Sequence, residues 1–134
     1  MALTISITKH GKPTDFNEEK SVTFEGNTSY WEFIEPWIRD FNKKCSESID
    51  LYSFYNLNPK NLPALLEVLL QARELTLKGP SSLSINCGTV THAGRSEEIT
   101  QIAVRDELVT FIDKMIYIAK EAIELKETLA ILGD

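Results

Sequence analysis

Residues 106–132 read DELVTFIDKMIYIAKEAIELKETLAIL and contain neither glycine nor proline. Apolar residues recur every three or four positions, which predicts one long amphipathic helix that is capped by Asp106 and ends before Gly133. They form two neighbouring rows: Leu108, Phe111, Met115, Ile118, Ala122, Leu125, Leu129 and Leu132, then Val109, Ile112, Ile116, Ala119 and Ile123. Two rows make an apolar arc wider than one neighbour normally covers. Either a sheet and another helix of the same domain cover this arc, or a second subunit covers part of it.

Alternating patterns ahead of this helix predict β-strands. Residues 3–7 (LTISI) and 22–24 (VTF) alternate apolar and polar side chains, and the charged residues 9–20 between them are interpreted as a loop. The two strands are expected to pair antiparallel. Residues 48–57 (SIDLYSFYNL) carry apolar and aromatic residues on both alternating faces, which is typical of a central strand buried on both sides. Residues 82–87 (SLSINC) alternate again.

A helix is predicted between the second and third of these strands, with its end near Cys45. Its start has two interpretations. It begins at Ser29, where Glu32 completes a capping pattern, or it begins afresh at Pro36, because proline is tolerated in the first turn but disrupts a helix interior.

A further helix is predicted between the Asn-Pro pair at 58–59 and the Gly-Pro pair at 79–80, since both pairs are helix boundaries. Residues 88–96 (GTVTHAGRS) predict a loop or turn. Residues 97–104 (EEITQIAV) fit either one more strand or the first turns of the last helix.

These elements indicate a fold of the α+β class. Their order is ββαβαββα or ββαβαβα, which predicts a small mixed or antiparallel sheet of four to five strands packed against three helices. The chain has 134 residues, which is the size of one domain and is sufficient to bury a core without disulfide or metal cross-links. We therefore expect a single domain that spans residues 1–134.

The composition excludes several classes of partner. The formal net charge is −6 and no block of basic residues occurs, so binding to nucleic acid or to an anionic membrane is disfavoured. Residues 1–12 lack the continuous apolar segment of a signal peptide, and no apolar run reaches the length of a membrane span. These features predict a cytoplasmic protein whose negative charge favours a basic protein partner.

Residue types that carry chemistry are present, but not at catalytic spacing. The cysteines Cys45 and Cys87 and the histidines His10 and His92 show no metal-ligand spacing, and no nucleophile or phosphate-binding motif occurs. Paired carboxylates fall on predicted polar faces, where solvated charge is the norm. The sequence therefore predicts no metal, no cofactor and no catalytic residue.

Three functional hypotheses follow, and the first is a small acidic binding and inhibitory protein, such as an immunity protein that neutralises a basic toxin or nuclease. The alternative is a structural or accessory protein that dimerises through the C-terminal helix. The second alternative is an enzyme or small-ligand binder with an unrecognised site, for which the loop beside Cys87 and His92 is the first candidate. The predicted partner-binding residues are Trp31, Glu32, Glu35, Glu97, Glu98 and Asp106, and the predicted self-association residues are Phe111, Ile118, Leu125 and Leu132.

Overall fold

The computed structural model describes residues 2–9, 12–13, 20–25, 29–50 and 54–133. It has the predicted α+β architecture, with three α-helices, a five-stranded antiparallel sheet and a separate two-stranded sheet. The strands are β1 (Ala2–Lys9), β2 (Lys12–Pro13), β3 (Ser21–Glu25), β4 (Phe54–Asn56), β5 (Ser82–His92), β6 (Arg95–Val104) and β7 (Leu129–Gly133). The helices are α1 (Ser29–Cys45), α2 (Leu62–Leu77) and α3 (Arg105–Glu124), and a short 3₁₀ turn at Pro59–Asn61 precedes α2.

Strand β1 is an inner strand of the larger sheet. It pairs antiparallel with β3 and the short β2, as the alternating N-terminal patterns predict for β3, and also with β7 from the other end of the chain. The residue pair Ile5 and Ile131, both 1% exposed, lies in this β1–β7 register. Within the predicted loop at residues 9–20, Lys12–Pro13 forms β2, whereas residues 10–11 and 14–19 lie outside the described residues.

Helix α1 is continuous from Ser29, so the alternative start at Pro36 is wrong. Pro36 is exposed within the helix, and Ile34, Ile38 and Phe41 are buried on the opposite side. A proline on the solvent side leaves this apolar face intact, because its ring and its missing N–H affect only the exposed edge of the helix.

Strand β4 corrects the prediction of a doubly buried central strand at residues 48–57. It pairs with β7 and lies at the end of the strand order β2-β1-β7-β4. Phe54 in this strand is 77% exposed, as an edge position permits. Residues 51–53 of the predicted strand lie outside the described part of the chain. The inner strand beside β1 is instead β7, which joins β1 to β4.

Helix α3 packs against α2 and contacts β1 and β3, so the domain itself covers most of both apolar rows. In the first row Ile118 is 1% exposed, and in the second row Ile112 is 2% exposed. Two of the predicted self-association residues are not on an exposed helix face, since Ile118 is buried and Leu132 belongs to β7. Phe111 is half-buried, while Leu125 is exposed just beyond the helix end.

Helix α3 ends earlier than the sequence predicts because the chain reverses in a left-handed cap. Lys126 has φ of 56°, its N–H donates to the Ile123 carbonyl, and the N–H of Glu127 donates to the Ala122 carbonyl. This is the pattern that glycine usually provides at a helix C-terminus. Helix α1 ends in the same way, since Ser46 has φ of 54° and the N–H of Glu47 donates to the Asn42 carbonyl. The helix start also differs from the prediction, because Val104 is the cap residue and Asp106 lies in the first turn.

We expect Lys126→Gly to stabilise the protein by about 0.5–1 kcal/mol, because a side chain is strained at this positive φ and glycine is not. The matched control is Lys120→Gly, an exposed lysine within the same helix, which should lower the free energy of unfolding by about 1 kcal/mol. Urea unfolding of the two variants measures both changes. Destabilisation of similar size by both substitutions would contradict a left-handed cap at residue 126.

Strands β5 and β6 form a hairpin, here called the arm (residues 82–104), whose turn lies within residues 88–96, the range for which the sequence predicts a loop or turn. Ala93 and Gly94 have φ of 51° and 77°, which is the two-residue turn that matches the twist of paired strands. Residues 97–104 are therefore strand and not helix. The arm contacts α1 and α3, but every residue from 88 to 102 is exposed.

Candidate functional site

A groove of about 760 Å³ lies where the first turn of α1 meets the first turns of α3. Its lining consists of two aromatic rings with mostly charged residues around them: Tyr30, Asp106, Glu107, Thr110, Phe111, Asp113 and Lys114. Ligand-binding clefts in proteins commonly have this volume, with an apolar floor and a few polar groups.

The aromatic floor is formed by residues that are distant in sequence. The rings of Tyr30 and Phe111 stack with centroids 5.0 Å apart and planes 15° apart. The Tyr30 hydroxyl donates a hydrogen bond of 3.0 Å to Oε2 of Glu107. Stacking and this hydrogen bond together fix the ring of Tyr30 and the carboxylate of Glu107 relative to each other.

The hydrogen bond from Tyr30 to Glu107 requires that the Tyr30 hydroxyl keep its proton. Burial raises the pKa of the Tyr30 hydroxyl, and the hydrogen bond to Glu107 and the negative charge of Glu107 raise the pKa further. The hydroxyl therefore remains a donor at neutral pH, and Glu107 remains the acceptor.

The carboxylates at the rim of the groove differ in how their charge is balanced. Nε of Arg105 lies 3.3 Å from Oδ1 of Asp106, and Nε of Arg73 lies 2.6 Å from Oδ1 of Asp113. Among the lysines and arginines in the described ranges, none forms an ion pair with Glu107. Glu107 is thus the rim carboxylate whose charge is available to a cation from outside the chain.

Asp106 and Glu107 are also placed favourably for the helix. Both acidic residues lie in the first turn of α3, where negative charge interacts well with the exposed N–H groups of the helix start. Arg105 ties this helix start to the connection between α2 and β5, because its backbone N–H donates to the Ser81 carbonyl and its guanidinium donates to the Gly79 carbonyl. The rim is therefore anchored on its α3 side.

The structure brings only one of the six predicted partner-binding residues to the groove, namely Asp106. Trp31 is 5% exposed within the core, so its side chain offers little surface to a partner. A residue one position away, Tyr30, lines the groove instead, because the helix rotates successive side chains by about 100°.

The other four predicted residues lie elsewhere. Glu32 and Glu35 are half-buried on α1, where Glu35 forms an ion pair with Arg39. Glu97 and Glu98 are exposed in the outer half of the arm, about 25 Å along β6 from the start of α3. The six residues therefore do not form one contact patch.

The structure adds no support for a site at Cys87 and His92. His92 is exposed at the end of β5 opposite Arg95, and the side chain of Cys87 lies outside the described residues. Within the described parts of the chain, no group of histidine, cysteine and carboxylate side chains is arranged to hold a metal ion. Cys45 is a half-buried free thiol at the end of α1.

Sequence reasoning assigned the groove residues to other roles. Phe111 belongs to the predicted self-association row, and Glu107 follows Asp106 in a carboxylate pair that is expected to be solvated. Since Tyr30 and Glu107 are separated by 77 positions, no local pattern indicates that they meet.

Among the helices that the structure describes, none has the length and apolar character needed to cross a bilayer. No protein-family model matches this sequence, and neither a curated protein nor a solved structure matches it.

Proposed function

We propose that this chain is a small protein-binding and inhibitory domain, of the kind that an immunity protein represents, which neutralises a basic partner such as a toxin or a nuclease. The observation that carries the proposal is the groove, in which a stacked Tyr30–Phe111 floor adjoins Glu107, a carboxylate with no lysine or arginine ion pair among the described residues.

The groove has the chemistry that a lysine or arginine side chain from a partner requires. The aliphatic stem of such a side chain packs against apolar surface, while its charged head stays at the polar rim. Aromatic ring faces attract the cation, and a carboxylate accepts its hydrogen bonds. The stacked rings and Glu107 supply both kinds of contact next to each other.

The net charge explains how binding leads to inhibition. A chain with a net charge of −6 is attracted to a basic cleft, and the same cleft is where a nuclease holds its anionic substrate. When this chain occupies that cleft, its volume blocks the anionic substrate and its negative charge repels it. The groove then fixes the orientation by receiving one basic side chain at the edge of the contact.

The test measures binding of a tetra-arginine peptide to the folded chain by amide NMR. We expect shift changes at the start of α3 and around Tyr30, and about tenfold weaker affinity for Glu107→Gln, because a charge-assisted hydrogen bond is lost. The matched control is Glu124→Gln, an exposed carboxylate in the last turn of the same helix. Equal losses in the two variants would mean that net charge alone attracts the peptide, and would overturn the proposal.

The Glu107→Gln and Glu124→Gln variants also serve as baits in affinity capture from source cells, where they distinguish binding at the groove from other binding. A basic protein that is recovered by the natural chain and by Glu124→Gln, but not by Glu107→Gln, is the expected partner. Its activity should fall when the natural chain is added in equal amount. Recovery of the same basic protein by all three baits would assign its binding to another surface.

A further inference from the structure

The arm carries a continuous apolar row on one face. Directly opposed residues of an antiparallel pair point to the same face, so the β5–β6 register places Leu83, Ile85, Val90, Ile99 and Ala103 on one side. At the base of the arm Ala103 is 2% exposed, because the domain covers it. Farther out, Val90 is 45% exposed and Ile99 is 40% exposed. The row therefore continues beyond the part that the domain covers.

The two edges of the arm differ. The β5 edge is interrupted by a bulge between Asn86 and Gly88, where Gly88 has φ of 134°. The β6 edge is regular from Arg95 to Val104 and contains no proline. Within the described ranges, β6 pairs with β5 alone. A long regular edge of this kind can form backbone hydrogen bonds with another strand, whereas a bulge disrupts such pairing.

A two-stranded ribbon is at best marginally stable by itself, and three or more strands with an apolar face are needed for independent stability. We propose that the arm pairs with the arm of a second copy of this chain. The β6 strands of the two copies lie antiparallel about a two-fold axis at Ile99, and the two arms make one four-stranded sheet. The proposed inhibitory function requires neither this surface nor this second copy.

Charge selects this register. In a two-fold antiparallel pair, one residue faces its own copy across the axis. An axis at Glu97 or at Glu98 sets identical carboxylates opposite each other, which is destabilising. An axis at Ile99 places Glu98 opposite Thr100 of the second copy, and no two like charges face each other.

Burial favours the same register over its neighbour. Both an axis at Ile99 and an axis at Thr100 pair almost the whole of β6, over residues 95–103 or 96–104. An axis at Thr100 sets Ile99 opposite Gln101 and Ile102 opposite Glu98, so neither isoleucine faces an apolar residue. An axis at Ile99 brings two isoleucines together and doubles the apolar row.

The test is sedimentation velocity of the full chain from micromolar to millimolar concentration. We expect a monomer–dimer equilibrium that Ile99→Lys weakens by about tenfold or more, because like charges then meet at the axis and apolar contact is lost. The control is Val90→Lys, which has similar exposure and lies on the same face but on β5, and it should leave the dissociation constant nearly unchanged. Circular dichroism checks that both variants fold.

A gain of association tests the register itself. Thr100→Lys places a lysine opposite Glu98 of the second copy at two symmetric positions, and should tighten the dimer by about two- to thirtyfold. A monomer at every concentration, equal weakening by Ile99→Lys and Val90→Lys, or no tightening by Thr100→Lys would overturn the proposal. Groove variants such as Glu107→Gln should not change the dissociation constant, so this test and that of the proposed function fail independently.

Discussion

Replacing Ile118 with alanine should lower the free energy of unfolding by about 2–5 kcal/mol, because the side chain is 1% exposed and its removal leaves a cavity in a packed core. Ile118 lies in the middle of α3, the helix that packs against α2 and contacts β1 and β3. Denaturant unfolding at several protein concentrations measures the change.

The control for Ile118→Ala is Leu125→Ala, in the same apolar row but 53% exposed beyond the helix end. It should change the free energy of unfolding by no more than about 0.5 kcal/mol. If the row instead held two subunits together through a continuous helix, both substitutions would lower stability, and the loss would depend on protein concentration. That result would contradict the placement of Ile118 inside a single domain.

Local periodicity was sufficient for the elements whose own apolar residues repeat with the period of a strand or of a helix. The alternation of Leu3, Ile5 and Ile7 predicts β1 because a half-buried strand needs it, and all three are at most 1% exposed. The three- and four-residue spacing of α3 predicts its buried side for the same reason. These patterns also gave the α+β class and the antiparallel pairing of β1 with β3.

The apolar spacing gave the wrong helix end where the chain reverses direction without a glycine in the sequence. Glycine normally indicates a left-handed helix end, and here Lys126 and Ser46 occupy that conformation. Leu129 and Leu132 are three positions apart, so they extend the helical spacing by coincidence. They lie in a strand because they pair with β1, more than a hundred residues earlier, and with β4, about seventy residues earlier.

The groove was missed for a related reason. Each of its residues has an ordinary local explanation: Tyr30 on a helix face, Phe111 in an apolar row, Glu107 in a first helical turn. Their meeting depends on how α1 and α3 lie in the domain, and the hydrogen bond between Tyr30 and Glu107 spans 77 positions. Strand order and helix placement are non-local, so composition predicted an acidic partner-binding protein but not the position of its groove.

The inner position of β7 leads to the second large effect, which is expected for Ile131→Pro. Ile131 pairs with Ile5 on one side and with Tyr55 on the other, so β7 has a neighbouring strand along both edges. Proline removes a backbone donor and is not tolerated in the interior of a sheet. We expect a loss of more than about 4 kcal/mol, enough to unfold a domain of ordinary stability.

Ile131→Val is the control, since it keeps the strand and removes one methylene, and should cost about 0.5–1.5 kcal/mol. Circular dichroism and the dispersion of amide NMR shifts report whether each variant folds. If residues 106–132 formed one helix, a proline at position 131 would fall in its last turn and would shorten the helix without unfolding the domain. A folded Ile131→Pro variant would therefore contradict β7. If Ile131→Pro is unfolded while Ile131→Val is folded, the β7 segment must be a strand of the sheet.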